Sequence, residues 1–208
     1  MDEIGLPAYR FSASWPRVRS DGRRREPRGF ACYDRLVDEL LGWDIAPVVT
    51  LYHWDLPQAL EDEGGWLARD TAARFADYAI AMHDVLGDRV RHWTTIDEPF
   101  CSAFLGYGSG QHAPGVTEPG AALVAAHHQL LAHGLAVEAL RAEATPEQTF
   151  AIALSFSPVL TGVDDQEHRE AAGRFDGIRN RFFLDPVLGR GYRPTCCPMS
   201  RTWTRWRR

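Results

Sequence analysis

The chain has 208 residues, 45% of them hydrophobic and 25% charged. This composition belongs to a globular chain with a sizeable core and excludes disordered, collagen-like and disulfide-dense classes. No apolar run approaches the ~20 residues that cross a bilayer. The start Met1-Asp2-Glu3-Ile4-Gly5 lacks the basic and apolar stretches of a secretion signal, so a cytoplasmic protein with no membrane partner is expected. The four cysteines (Cys32, Cys101, Cys196, Cys197) form no Cys-x-x-Cys pair, which favours reduced thiols over a disulfide scaffold or a structural zinc site. All 28 acidic residues lie at or before Asp185, against 17 of the 23 basic ones, so an acidic body precedes an arginine-rich tail. Such a body repels phosphate backbones, and no nucleic-acid partner is expected.

Taken in chain order, strands and amphipathic helices alternate. Ala8 to Ser14 alternates with period two, and the Gly/Arg/Pro-rich stretch from Ser20 to Gly29 reads as a loop. Phe30, Tyr33, Leu36, Val37, Leu40 and Leu41 then share one helical face. Ala46 to Tyr52 is a short β-branched apolar run, as in a strand covered on both sides. Asp70 suits an N-cap ahead of Phe75, Ala76, Ala79, Met82 and Leu86, with Gly87 placed to stop that helix. The pattern returns with a strand at His92–Asp97, a helix from Pro119 to Ala142, a strand at Thr149–Ser157 and a helix from Asp165 to Phe183.

Four consecutive βα units imply an α/β fold with a parallel sheet, either doubly wound or part of a barrel. No Gly-x-Gly-x-x-Gly follows the first strand, as a doubly wound nucleotide binder would require. Polar and aromatic residues cluster instead at the C-terminal ends of strands, where (β/α)8 TIM barrels build their sites. A partial TIM barrel is therefore expected.

Two strand ends carry the chemistry. Thr50-Leu51-Tyr52-His53-Trp54-Asp55-Leu56-Pro57 ends a buried strand in hydrogen-bonding and aromatic groups, and the bland alternative is a satisfied core histidine beside packing tryptophan. Trp93-Thr94-Thr95-Ile96-Asp97-Glu98-Pro99 ends another in adjacent carboxylates. Neighbouring strand side chains face opposite ways, so Asp97 and Glu98 need not collaborate, but one carboxylate aimed into a barrel mouth is a good general acid. Other clusters are weaker. His127, His128 and His133 share a helix at spacings unsuited to one metal, so no metal is expected there. Gly106-Tyr107-Gly108-Ser109-Gly110 lacks the Lys-Ser/Thr of a phosphate loop and reads as a flexible loop. Asp34 and Glu39 read as solvated helix surface.

These strand ends belong to longer motifs that occur in order: Tyr9-Arg10-Phe11-Ser12-Ala13-Ser14-Trp15-Pro16-Arg17, Tyr52-His53-Trp54-Asp55-Leu56-Pro57, Asp97-Glu98-Pro99 and Tyr107-Gly108-Ser109-Gly110-Gln111-His112-Ala113-Pro114-Gly115. Together they resemble glycoside hydrolase family 1, in particular its bacterial β-glucosidases, over residues 1–188. The resemblance implies a (β/α)8 barrel that hydrolyses β-glucosides and cello-oligosaccharides with retention of configuration, without a cofactor. Glu98 matches the family's general acid/base. His53 matches a histidine that binds glycone hydroxyls, Trp54 an aromatic wall beside the sugar, and Arg10 an arginine placed near the nucleophile.

Three departures matter. Asp97 stands where the family has Asn; an ionised carboxylate only accepts hydrogen bonds, and it adds charge beside Glu98, so slower turnover is expected. Ser155 stands where the family usually has Asn, with a shorter reach. The family nucleophile lies in a Glu-Asn-Gly motif that these 208 residues lack, and the family's first strand is missing too. Retaining glycosidases need both carboxylates. The isolated chain is thus expected to be inactive, with a noncatalytic sugar-binding or regulatory remnant as the alternative. Open sheet edges would favour self-association. Residues 189–208, a run rich in Arg and Trp, read as a frameshifted, disordered tail, with a basic interaction segment as the rival.

Overall fold

The computed structural model describes residues 4–193. Four strands form one parallel sheet in the order β1 (Ala8–Ser12), β2 (Ala46–Tyr52), β3 (His92–Asp97) and β4 (Thr149–Ala153). Spatial order equals chain order. There is no reversal of the kind that defines a doubly wound sheet; sequential parallel strands joined by helices are a segment of a (β/α)8 barrel.

The connections hold α1 (Trp15–Val18) and α2 (Pro27–Gly42), then α3 (Gln58–Asp62) and α4 (Asp70–Leu86), then α5 (Pro119–Glu143). Pro27 and Pro119 open their helices at positions where the missing N–H would have no partner anyway. The apolar stripe of α2 buries Phe30, Tyr33, Val37 and Leu40. Phe11, the buried side chain of β1, stacks on Tyr33 at 6.2 Å, while Arg10 and Ser12 project from the other face of that strand. Between α1 and α4 lies an aromatic core: Trp15 stacks on Tyr78 at 5.0 Å and meets Phe75 at 5.6 Å, and Trp66 meets Tyr52 at 5.3 Å. The indole N–H of Trp66 donates to the Tyr52 hydroxyl at 2.9 Å, so its burial leaves no polar group unmet. Gly29 lets α2 approach α1 at backbone contact, because a Cβ there would strike the Arg17 carbonyl.

The chain divides after Ala153. The second unit, from Leu154 onward, contains α6 (Gln166–Asp176), a π-helical turn at Gly177–Arg181 and α7 (Phe182–Val187). Asp165 caps α6, its carboxylate accepting from the His168 backbone N–H at 2.9 Å. Within this unit Asn180 bridges Ser157 and Asp176, and Phe182 packs on Phe183 and Tyr192. Most of the tail, from residue 194 on, lies outside the described residues.

Four expectations need correction. The first strand stops at Ser12 rather than Ser14, as the chain turns into α1. Asp70 begins α4 instead of capping it, because Arg69 is already helical as the chain leaves the tight turn Gly65–Leu67; its carboxylate still sits in the first turn, where the helix dipole favours it. Strand β4 ends at Ala153 rather than Ser157. Its partner β3 ends at Asp97, where Glu98 turns to φ 44° and Pro99 follows, leaving no ladder to extend. The glycine-rich Gly106–Gly110 stretch is not a flexible loop: Cys101–Gly108 is π-helical, and a Cβ on Gly106 would lie 2.6 Å from the Ala113 carbonyl.

Candidate active site

Parallel strands in register end on one edge of the sheet, and that edge gathers residues far apart in sequence. Arg10 reaches from β1 to Oδ1 of Asp97 at the end of β3, while its Nε donates to Thr50 Oγ1 of β2 at 2.8 Å. His53, just past β2, places Nε2 at 3.1 Å from Asp97 Oδ2 and Nδ1 at 2.8 Å from Ser12 Oγ of β1. Asp97 is buried, and both its carboxylate oxygens are engaged. Its backbone carbonyl accepts from the Trp54 indole N–H at 2.9 Å.

Trp54 lies between two imidazoles, its ring 5.1 Å from His53 edge-on and 5.1 Å from His112 at a tilt of 32°. Its backbone is left-handed, with φ 75°, as is that of Glu98. Such conformations cost about 1–3 kcal/mol each outside glycine and persist only where surrounding contacts hold them, typically at functional sites. The indole bond to Asp97 holds Trp54, and a 2.9 Å bond from the Glu98 N–H to the Ala153 carbonyl holds Glu98. Half-buried Glu98 also accepts from the Cys101 thiol, which lies 3.3 Å from Oε2.

The first unit therefore brings Arg10, His53, Trp54, Asp97 and Glu98 to neighbouring strand ends. Ser155 belongs to the second unit, where its Oγ accepts from Arg179 Nη2 at 2.8 Å. The sequence reading missed Ser12, Thr50 and Cys101. Ser12 was within reach of the period-two rule, being two residues from Arg10 on the same face; Thr50 depends on cross-strand register, where it faces Ser12.

A model of the family described as "Glycosyl hydrolase family 1" matches residues 1–202. The chain belongs to glycosyl hydrolase family 1. Among its relatives, thermostable β-glucosidase B of Thermobispora bispora is 50% identical over 193 residues, which is 90% of this chain and 38% of that protein. The bifunctional β-D-glucosidase/β-D-fucosidase of Bifidobacterium breve is 48% identical over 89% of this chain and 40% of its own. Among solved structures, a psychrophilic β-glucosidase from Micrococcus antarcticus superposes with TM-score 0.92 at 50% identity, covering 95% of this chain and 42% of that one. A Thermotoga maritima β-glucosidase in complex with deoxynojirimycin gives TM-score 0.92 at 35% identity, covering 96% and 46%. The chain thus spans about two fifths of the length of its family relatives.

The histidines of α5 take structural places. His128 Nδ1 bonds the Trp66 carbonyl at 2.8 Å, and burial lowers the pKa of both His127 and His128. His133 Nδ1 lies 2.8 Å from Thr95 Oγ1, and burial pushes its pKa down to about 4. Among the described residues no cluster of His, Cys, Asp and Glu could hold a metal ion, and no helix is long and apolar enough to cross a membrane. Asp55, half-buried just past β2, has its pKa raised by desolvation. Glu61 is likewise raised by burial and accepts from the Tyr107 hydroxyl at 2.5 Å, in a bridge that also joins the Trp66 N–H to Tyr107 at 3.1 Å.

Proposed function

We propose that this chain carries the acid/base half of a retaining β-glucosidase site, with Glu98 as general acid and then base. The observation that carries the reading is Glu98 at the end of β3, in a left-handed backbone beside the Arg10–Asp97–His53 cluster and Trp54. A β-glucoside offers hydroxyls in a fixed pattern and an apolar ring face. His53, Asp97 and Arg10 supply polar contacts for the first and Trp54 a flat wall for the second. Glu98 would protonate the departing glycosidic oxygen and later deprotonate the attacking water.

A retaining mechanism needs a second carboxylate about 5–5.5 Å from the first. In this reading the nucleophile comes from the remaining length that the relatives possess, and the 208 residues alone bind glucose without turnover. Among the described residues no strand pairs with the outer edges of β1 and β4, and that remainder, or a second copy, would add strands there.

The test pairs binding with complementation. Glucose and cellobiose are titrated into the chain by NMR, with Trp54→Ala expected to abolish the response and Glu98→Gln to preserve it. Release of aglycone from an aryl β-glucoside is then measured for the chain alone and mixed with the separately produced C-terminal part of the Thermobispora bispora relative. Release only in the mixture, lost with Glu98→Gln, supports the reading. Sugar binding with no release in the folded mixture favours a noncatalytic sugar-binding remnant. Absence of both overturns the assignment.

A further inference from the structure

Asp97 is enclosed by groups that leave its carboxylate one role. Arg10 takes Oδ1 and cannot accept a hydrogen bond, while Oδ2 lies 3.1 Å from His53 Nε2. A carboxylate paired with a guanidinium has no proton to give, so the hydrogen between Oδ2 and Nε2 belongs to the imidazole. In the neutral ring Nδ1 is then an acceptor, and the group 2.8 Å from it is the Ser12 hydroxyl, which can donate.

We infer that Asp97 is a positioning residue that fixes His53 as its Nε2–H tautomer, with Ser12 donating to Nδ1. The assignment deepens the glucosidase reading, on which only its relevance to sugar binding rests. The imidazole is oriented from both sides. Its Nε2–H is anchored to a buried charge, its Nδ1 to β1, and its ring stands edge-on to Trp54 at 5.1 Å. Histidine tautomers are commonly set in this way by whatever the other nitrogen meets. With its one Nε2 hydrogen given to Asp97, His53 has none left there for a sugar; a hydroxyl that approaches this edge meets Oδ2 of Asp97 as an acceptor, which selects a hydroxyl over a fluorine or an ether oxygen at that position, since neither of these donates.

Residue 97 controls the polarity of this contact through a single atom. In Asp97→Asn, Arg10 retains the amide oxygen because it offers only donors, so the amide NH2 turns toward His53. Nε2 must then accept, the ring proton moves to Nδ1, and the Ser12 hydroxyl becomes the acceptor. Nearly the same shape thus presents the opposite hydrogen-bond polarity.

The experiment reads the ring nitrogens directly. The full chain is labelled with 15N-imidazole histidine, long-range proton–nitrogen spectra are recorded well above the ordinary histidine pKa of about 6.5, and His53 is assigned by the signal lost in His53→Gln. Expected are the Nε2–H pattern in the wild-type chain, the same pattern in Ser12→Ala, and a switch to Nδ1–H in Asp97→Asn. An Nδ1–H or doubly protonated His53 in the wild type overturns the inference without recourse to any variant. So does a folded Asp97→Asn chain that keeps Nε2–H, or a Ser12→Ala chain that switches. No sugar is present, so failure of glucose binding would count against the proposed function and leave this result untouched.

Discussion

His133 offers a quantitative test of how α5 is docked against β3. The Thr95 hydroxyl donates to the Ala151 carbonyl at 3.2 Å and so accepts from His133 Nδ1–H, 2.8 Å away. Burial is the larger cause of the low pKa of His133 and the nearby Arg141 charge the smaller; together they push it down to about 4 from 6.5. A folded pKa below the unfolded one means that the unfolded chain binds the proton first. Stability from this group is therefore complete above 6.5 and falls as the pH drops from 6.5 to about 4. At about 1.4 kcal/mol per pH unit, that interval corresponds to a loss of about 3 kcal/mol. His133→Asn keeps a donor for Thr95 and removes the titration. Urea unfolding of both chains across this window should show the variant gaining about 3 kcal/mol on the wild type as the pH falls, with other titrating groups cancelling in the difference. Nuclear magnetic resonance of the His133 ring should give a midpoint near 4. Parallel stability curves, or a midpoint near 6.5, would refute the proposed burial of a neutral imidazole against Thr95.

Phe75 is fully buried among Trp15, Tyr52, Trp66 and Tyr78, so Phe75→Ala should cost about 3–5 kcal/mol in urea unfolding. Gly29→Ala forces α2 away from the Arg17 carbonyl and should cost about 1–3 kcal/mol by the same assay, unlike alanine at Gly42, which meets nothing within 4 Å. Tyr107→Phe removes the donor to Glu61 and the acceptor for the Trp66 N–H, a loss of about 1–3 kcal/mol. Because the Tyr107 bond lowers the pKa of Glu61 against the upward effect of burial, carboxyl carbon-13 titration should find Glu61 higher still in that variant.

The parts of the fold legible in the sequence were those decided by a segment's own residues. Ala46–Tyr52 declared itself because a strand covered on both faces must be apolar throughout, and β2 has those bounds. The stripe of α2 was equally plain, although the helix begins earlier, at Pro27. What the residues of one segment do not contain is the end of its partner. Leu154–Ser157 continue an apolar alternation, yet β4 stops where β3 stops. The π-helical turns at Cys101–Gly108 and Gly177–Arg181 also escaped, since their hydrogen-bond spacing carries no residue signature.

The site follows the same division. His53, Trp54, Asp97 and Glu98 were legible because they stand at strand ends rich in chemical groups, and Arg10 through a motif shared with the family, but their mutual arrangement was not. Asp97 read as a charge added beside Glu98, whereas its carboxylate turns to Arg10 and His53, so that much of its charge is answered within the cluster. The difference arises from register. Ser12 pairs with Thr50 and Thr50 with Thr94, which brings three strands to a common edge and lets one carboxylate reach partners 87 residues away on β1 and just past the end of β2. In a parallel sheet each βα unit returns the chain to the same edge, so residues separated by whole units become neighbours even though no local pattern links them. A substitution at residue 97 consequently acts first through His53 and Arg10, the two groups its carboxylate meets.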